Sequence, residues 1–138
     1  MLMTEPFDLQ ALREYSPVVL AYIGDAVFEL MVRTYLVARG NRPIKELHHD
    51  AVAVVKAESQ ARVVRQMMGK LSDEEKEIIR RGRNAKTTPP RHADPGDYHM
   101  STGFEALLGY LYLKGDEERL HKLVMMALDS GNGTETAL

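Results

Sequence analysis

The residues of this chain best suited to chemistry are two carboxylates set in apolar surroundings. The stretch Val18–Val32 reads VVLAYIGDAVFELMV, almost wholly apolar, yet Asp25 stands in its middle, with Glu29 four residues on and Arg33 four further. Positions i, i+4 and i+8 share one helix face. A carboxylate there is costly unless a cation or hydrogen-bond donors meet it. Two acids one turn apart also repel each other. Something positive should therefore sit nearby. Arg33 would serve as a structural partner, and a divalent metal ion is the alternative. Thr102–Leu113, TGFEALLGYLYL, has the same character, apolar all round with one charge, Glu105. Here too two readings stand. Thr102-Gly103-Phe104-Glu105 has the form of a capping box, in which Glu105 satisfies a helix N-terminus. Otherwise Glu105 joins Asp25. Small residues flank both acids, Ala21, Gly24 and Ala26 in the first stretch and Gly103, Ala106 and Gly109 in the second. They would allow a close helix crossing that brings the two acids together. Such a pair could hold Mg²⁺ or Mn²⁺, hard ions that prefer oxygen ligands. That site would suit phosphodiester hydrolysis.

The elements that must position these acids are helical. Ser16-Pro17 is a helix start, with Ser as N-cap and Pro at the first helical position. That helix is expected from about Pro17 to Arg39, buried on most sides and stopping at Gly40-Asn41. A second helix is expected from near Pro43 to about Met68, with Leu47, Ala51, Val54, Val55, Ala61 and Val64 at helical spacing. Ser72 and Glu75 form a capping box opening a third, which decays at Gly82-Arg83-Asn84. Thr87–Asp97 carries Pro89, Pro90, Pro95 and Gly96 and reads as a long surface loop. A fourth helix is expected over about Thr102–Leu113 and a fifth from Asp116 to about Leu128. Residues 1–14 read as a short lead-in and Ser130–Leu138 as a fraying tail. The expected fold class is all-α, a single domain over residues 1–138 with about five main helices.

Composition narrows the function classes. The 138 residues are 44% hydrophobic and 28% charged, ordinary for one globular domain. There are no cysteines, which excludes disulfides and thiolate metal sites and suits a cytoplasmic location. No run approaches the roughly 20 uncharged apolar residues of a membrane span, and the N-terminus has no basic region of a signal peptide. The net charge is −2, but Arg80–Arg91 (RRGRNAKTTPPR) holds five positive charges and no acid, so the remainder carries −7. A local basic segment of this kind reads as a polyanion surface, against the bland alternative of a solvated helix C-terminus. His48 and His49 cannot face one site from a helix, so a histidine metal site is not expected. The tyrosines and paired methionines read as core or interface.

These residues resemble a known family. LAYIGDAVFEL resembles the ribonuclease III signature segment, and FEALLGYLYL resembles that family's second acidic segment. The short length, the RGRNAK stretch and the STGFEA form resemble Mini-ribonuclease III, in which the catalytic domain stands without a double-stranded RNA-binding domain. The resemblance runs from about Ser16 to Leu123. It implies an all-helical, homodimeric endonuclease that cleaves double-stranded RNA with a divalent metal, leaving 5′-phosphate and 3′-hydroxyl ends. It further implies maturation of 23S ribosomal RNA precursors. By position, Asp25 and Glu105 fall on the catalytic, metal-binding acids. Arg81, Arg83, Asn84 and Lys86 fall on the basic segment near RNA. Glu29 and Thr102 would stand behind the acids, Glu29 either ordering a water at the metal or pairing with Arg33. Ala21 and Thr102 occupy positions where full-length ribonuclease III carries acids, and only Ile44 or Glu46 lies near a third. Fewer carboxylates imply weak metal binding and a millimolar-range requirement for Mg²⁺. A catalytically silent helical RNA-binding or dimerisation module is the competing reading.

Overall fold

The computed structural model describes residues 3–131. Helix follows helix: α1 (Leu9–Arg13), α2 (Pro17–Ala38), α3 (Ile44–Val55), α4 (Ala57–Met67), a 3-10 turn (Met68–Lys70), α5 (Asp73–Arg83), α6 (Pro95–Lys114) and α7 (Glu117–Gly131). No strand occurs among the described residues, as the all-α expectation requires. No helix among them is long and apolar enough to cross a membrane.

The axis of the fold is α6. Phe104, Ala106, Leu107, Leu108, Tyr110 and Leu111 are buried on successive sides of it. An apolar helix with no polar face must be covered all round, and α2, α4 and α5 lie along it while α1 and α7 close it off. The Phe28 and Phe104 rings meet edge to face, 5.5 Å between centroids, fixing α2 on α6. For α2 the sequence expectation fails on one side. Its inner face (Leu20, Val27, Phe28, Val32, Leu36) is buried, but Tyr22 is 81% exposed, Leu30 55% and Val37 58%.

Two backbone-on-backbone crossings set the helix spacing. A Cβ built on Gly24 would overlap the Glu105 carbonyl oxygen and lie 2.7 Å from Gly109 N, and one on Gly109 would overlap the Leu20 carbonyl. Gly24 and Gly109 therefore let α2 and α6 touch. Gly103 belongs to a different contact than the one expected for it. It faces α5, where a Cβ on Gly82 would lie 2.7 Å from Gly103 Cα. Ala26, expected in the α2–α6 crossing, is exposed instead.

Three further expectations need correction. The lead-in contains α1, capped by Asp8, whose carboxylate accepts from Ala11 N at 3.1 Å. The helix expected from Pro43 to Met68 is two helices, because Lys56 is extended (φ −64°, ψ 153°). Neither Gly nor Pro marks that break. Ser59 Oγ donates to Ala53 O at 2.6 Å and Gln60 Nε2 to Val55 O at 2.7 Å, so side chains take up carbonyls at the end of α3. The helix expected at Thr102 begins seven residues earlier, at Pro95, with Asp94 as N-cap accepting from Asp97 N at 2.8 Å. Pro95 opens the helix rather than belonging to the loop, as suits a residue without an N–H. At the C-terminus, α7 continues through Ser130 to Gly131; the remainder of the expected fraying tail lies outside the described residues.

Candidate active site

Asp25 projects from the middle of α2 and Glu105 from the middle of α6, at the glycine crossing that joins the two helices. The late start expected for α6 is what made a capping role for Glu105 conceivable. With the helix opening at Pro95, Thr102 lies in its interior and Glu105 caps nothing. Thr102 is buried, and its hydroxyl donates to Tyr98 O at 3.1 Å, a bond back to its own helix. The structural alternative for Asp25 also lapses. Arg33 is committed to Glu29, donating from Nε at 3.2 Å and from Nη2 at 2.9 Å to the same oxygen, Glu29 Oε1. Of the two readings of Glu29, the pair with Arg33 is the one observed.

The two acids are thus left facing each other. Burial pushes the Glu105 carboxyl up to about 7. The hydrogen bond from Gln60 works against that rise, while the adjacent Asp25 carboxylate, and then the charge of Glu29, add to it. Gln60 Nε2 donates to Glu105 Oε2 at 2.9 Å. No lysine or arginine forms an ion pair with either Asp25 or Glu105 among the described residues. Two apposed carboxylates held by the backbone, one of them destabilised as an anion, are a donor set that fits a hard divalent cation. Among the described residues no group of three or more His, Asp or Glu side chains is arranged to hold a metal. The pair would therefore leave most of an ion's coordination to water and substrate oxygens, which is how Mg²⁺ is commonly held.

The basic segment divides on inspection. The side chain of Arg81 turns inward and donates to Arg13 O at 3.3 Å and Tyr15 O at 3.1 Å, tying α5 to the end of α1. Arg80 pairs with Glu77 on its own helix at 2.6 Å. Arg83 and Lys86 are exposed with no ion pair among the described residues, and Asn84 closes α5 as its exposed C-cap. Sequence reasoning missed Gln60. The available signal was a polar residue standing in the inward row with Val64 and beside Ala61, where an apolar one was due. Of the residues near the third family acid, Glu46 pairs with Arg42 at 3.7 Å, and Ile44 is exposed.

The Ribonuclease III domain model matches residues 18–116, a span that contains both acids, Gln60 and the basic segment. The chain belongs to the ribonuclease III family. Within it, the chain is 47% identical over 126 residues to a Mini-ribonuclease 3 of Thermoanaerobacter sp., covering 91% of this chain and 89% of the relative. It is likewise 47% identical over 121 residues to a Mini-ribonuclease 3 of Synechocystis sp., covering 88% and 83%. A crystal structure of a protein from Fusobacterium nucleatum superposes with a TM-score of 0.78 at 32% identity, covering 85% of this chain and 96% of that one. The ribonuclease III resemblance read from the two acidic segments, and the Mini-ribonuclease III resemblance read from the short length, RGRNAK and STGFEA, thus hold over most of the chain.

Proposed function

We propose that this chain is a double-strand-specific endoribonuclease that hydrolyses phosphodiester bonds with Mg²⁺, or Mn²⁺, held by Asp25 and Glu105. The Mini-ribonuclease 3 names of its relatives support the reaction class. The observation that carries the site assignment is the pair of carboxylates at the α2–α6 crossing, apposed and without a neutralising cation of the protein. A divalent ion bound there would supply Lewis acidity toward the scissile phosphate. The chain's own contribution is placement. The glycine crossing fixes the distance between the acids, Gln60 binds Glu105, and Arg33 pairs with Glu29, whose charge also acts on Glu105. Thr102 stands behind Glu105, pinned to Tyr98 O. Arg83, Asn84 and Lys86 offer exposed groups to RNA phosphates and 2′-hydroxyls, while Arg81 anchors the end of α5 that presents them. The exposed apolar face of α2, with Val18, Val19, Tyr22, Leu30 and Val37, supports a homodimer with one site per subunit. The substrate we assign is a 23S ribosomal RNA precursor, processed in the cytoplasm.

The deciding experiment is cleavage of a long double-stranded RNA in Mg²⁺ by the native protein and Asp25→Asn side by side. Asn keeps the shape and removes the charge. Cleavage by the native protein alone supports the assignment. Equal cleavage by both places the chemistry elsewhere. Cleavage by neither, with salt-sensitive binding of the duplex by both, favours a silent RNA-binding module.

A further inference from the structure

Gln60 is buried in α4, 2% exposed, and its amide N–H₂ makes two bonds: to Val55 O at 2.7 Å and to Glu105 Oε2 at 2.9 Å. The Val55 carbonyl can only accept, so the orientation of the amide is fixed; a flipped amide would set its oxygen against that carbonyl. Gln60 Oε1 is buried and, among the described residues, has no hydrogen-bond partner. Buried acceptors are rarely left so. The side chain is therefore held for its donors, at the expense of its own carbonyl. One of those donors mends the break between α3 and α4. The other reaches across to the acid on α6 and occupies a single oxygen, and no other donor reaches Glu105 Oε1 among the described residues.

We propose that Gln60 is the positioning residue of the carboxylate pair: by binding Glu105 Oε2 it fixes the carboxylate plane and leaves Oε1 for a divalent cation shared with Asp25. This rests on the metal site assigned above. Outer groups that orient a ligand in this way are worth about 10–100-fold in metal affinity when removed. The neighbouring Ser59 supplies a built-in control. It mends the same break, with Oγ donating to Ala53 O at 2.6 Å, and makes no bond to Glu105.

The test is Mn²⁺ binding to the metal-free protein, followed by calorimetry, for the native chain, Gln60→Leu, Ser59→Ala and Asp25→Asn. The expected result is a dissociation constant raised about tenfold or more in Gln60→Leu and unchanged in Ser59→Ala, although both variants lose thermal stability. Gln60→Met, unbranched and close in length, replaces the leucine variant if that one does not fold. Native affinity in the folded Gln60 variants overturns the positioning role while leaving the site intact. Equal losses in Gln60→Leu and Ser59→Ala overturn it too, because the effect would then come from the break alone. Native affinity in Asp25→Asn removes the metal site itself, and the role of Gln60 with it.

Discussion

Gly24→Ala tests whether the active-site geometry depends on the touching of two backbones. The added Cβ would overlap the Glu105 carbonyl oxygen and lie 2.7 Å from Gly109 N, against the 3.4–4 Å of ordinary contact. Neither obstacle is the end of a flexible side chain, so the helices must separate by about 1 Å or more. Alanine gains about 1 kcal/mol over glycine in a helix interior. Overpacking costs about 1–3 kcal/mol, and backbone against backbone belongs at the upper end. Separation also loosens the buried contacts of Leu20, Phe28, Phe104 and Leu108, which span the same crossing. The net expectation is a loss of roughly 2 kcal/mol, a large part of the 5–15 kcal/mol typical of a domain. Urea unfolding followed by circular dichroism measures it. Gly69→Ala is the control, because a Cβ there meets nothing within 4 Å. Since Glu105 is the residue whose carbonyl is struck, a shift of about 1 Å should also lower the cleavage rate about 100-fold in protein that remains folded. Stability within about 0.5 kcal/mol of native, together with native cleavage, would refute the reasoning, because the helices would then have room that the structure denies them.

Other expectations follow from particular groups. Glu105 is raised in the fold from 4.5 to about 7, so the folded state holds its proton more tightly than the unfolded one. Stability of the metal-free protein should therefore fall as pH rises from about 4.5 to about 7, by on the order of 2–3 kcal/mol. Glu105→Gln should flatten that part of the profile; an unchanged slope would show that Glu105 does not carry it. Arg119 donates to both oxygens of buried Glu75 at 2.8 Å and to Lys70 O at 2.9 Å, and its hydrogen bonds hold the Glu75 carboxyl below the usual range. Arg119→Ala should cost about 3 kcal/mol in thermal unfolding at neutral pH, because it strands a buried charge, and the deficit should shrink in acid as Glu75 protonates. Cleavage should require Mg²⁺ in the millimolar range, as two carboxylates hold it weakly; an activity titration saturating far below that contradicts the site. Tyr22→Asp, on the exposed face of α2, should leave folding intact and shift sedimentation from dimer to monomer; a native protein of 15.6 kDa at micromolar concentration would remove the dimer.

What was legible in the sequence was what local rules decide. Ser16-Pro17 and the Ser72–Glu75 box start helices where they should, since cap chemistry lies within three residues of itself. The small residues around Asp25 and Glu105 pointed to a crossing, and Gly24 and Gly109 make it. Where two local rules competed, the reading failed. The Thr102–Glu105 box read as the helix start and Pro95-Gly96 as loop, although proline at a first helical position is a start signal and Asp94 caps the helix there. Where the cause is tertiary, nothing local could show it. Gln60 acquires its partner Glu105 from 45 positions away; the break at Lys56, though held within six residues by Ser59 and Gln60, carries no Gly or Pro to mark it. Arg81 looks like its basic neighbours in sequence, but it spends its donors on carbonyls 66 and 68 positions away. The apolar run of α2 gave no sign that one face would lie open, because an exposed apolar face and one turned to the core have the same composition.

The position of the like-charged pair follows from the fold. An uncompensated acid beside another acid is a burden that most folds avoid, and here half-buried Glu105 sits at the point of closest helix approach with exposed Asp25 against it. Elsewhere the same protein neutralises its acids with care: Glu75 has Arg119, Glu29 has Arg33, and Glu74 is held by Tyr110 and Arg13. Asp25 and Glu105 are apposed with only an amide between one of them and the protein. The fold compensates Glu75, Glu74 and Glu29 and leaves this pair open, which is why we propose a cation from solution as its compensation, and the rigid crossing would keep the acids from relaxing apart until one binds.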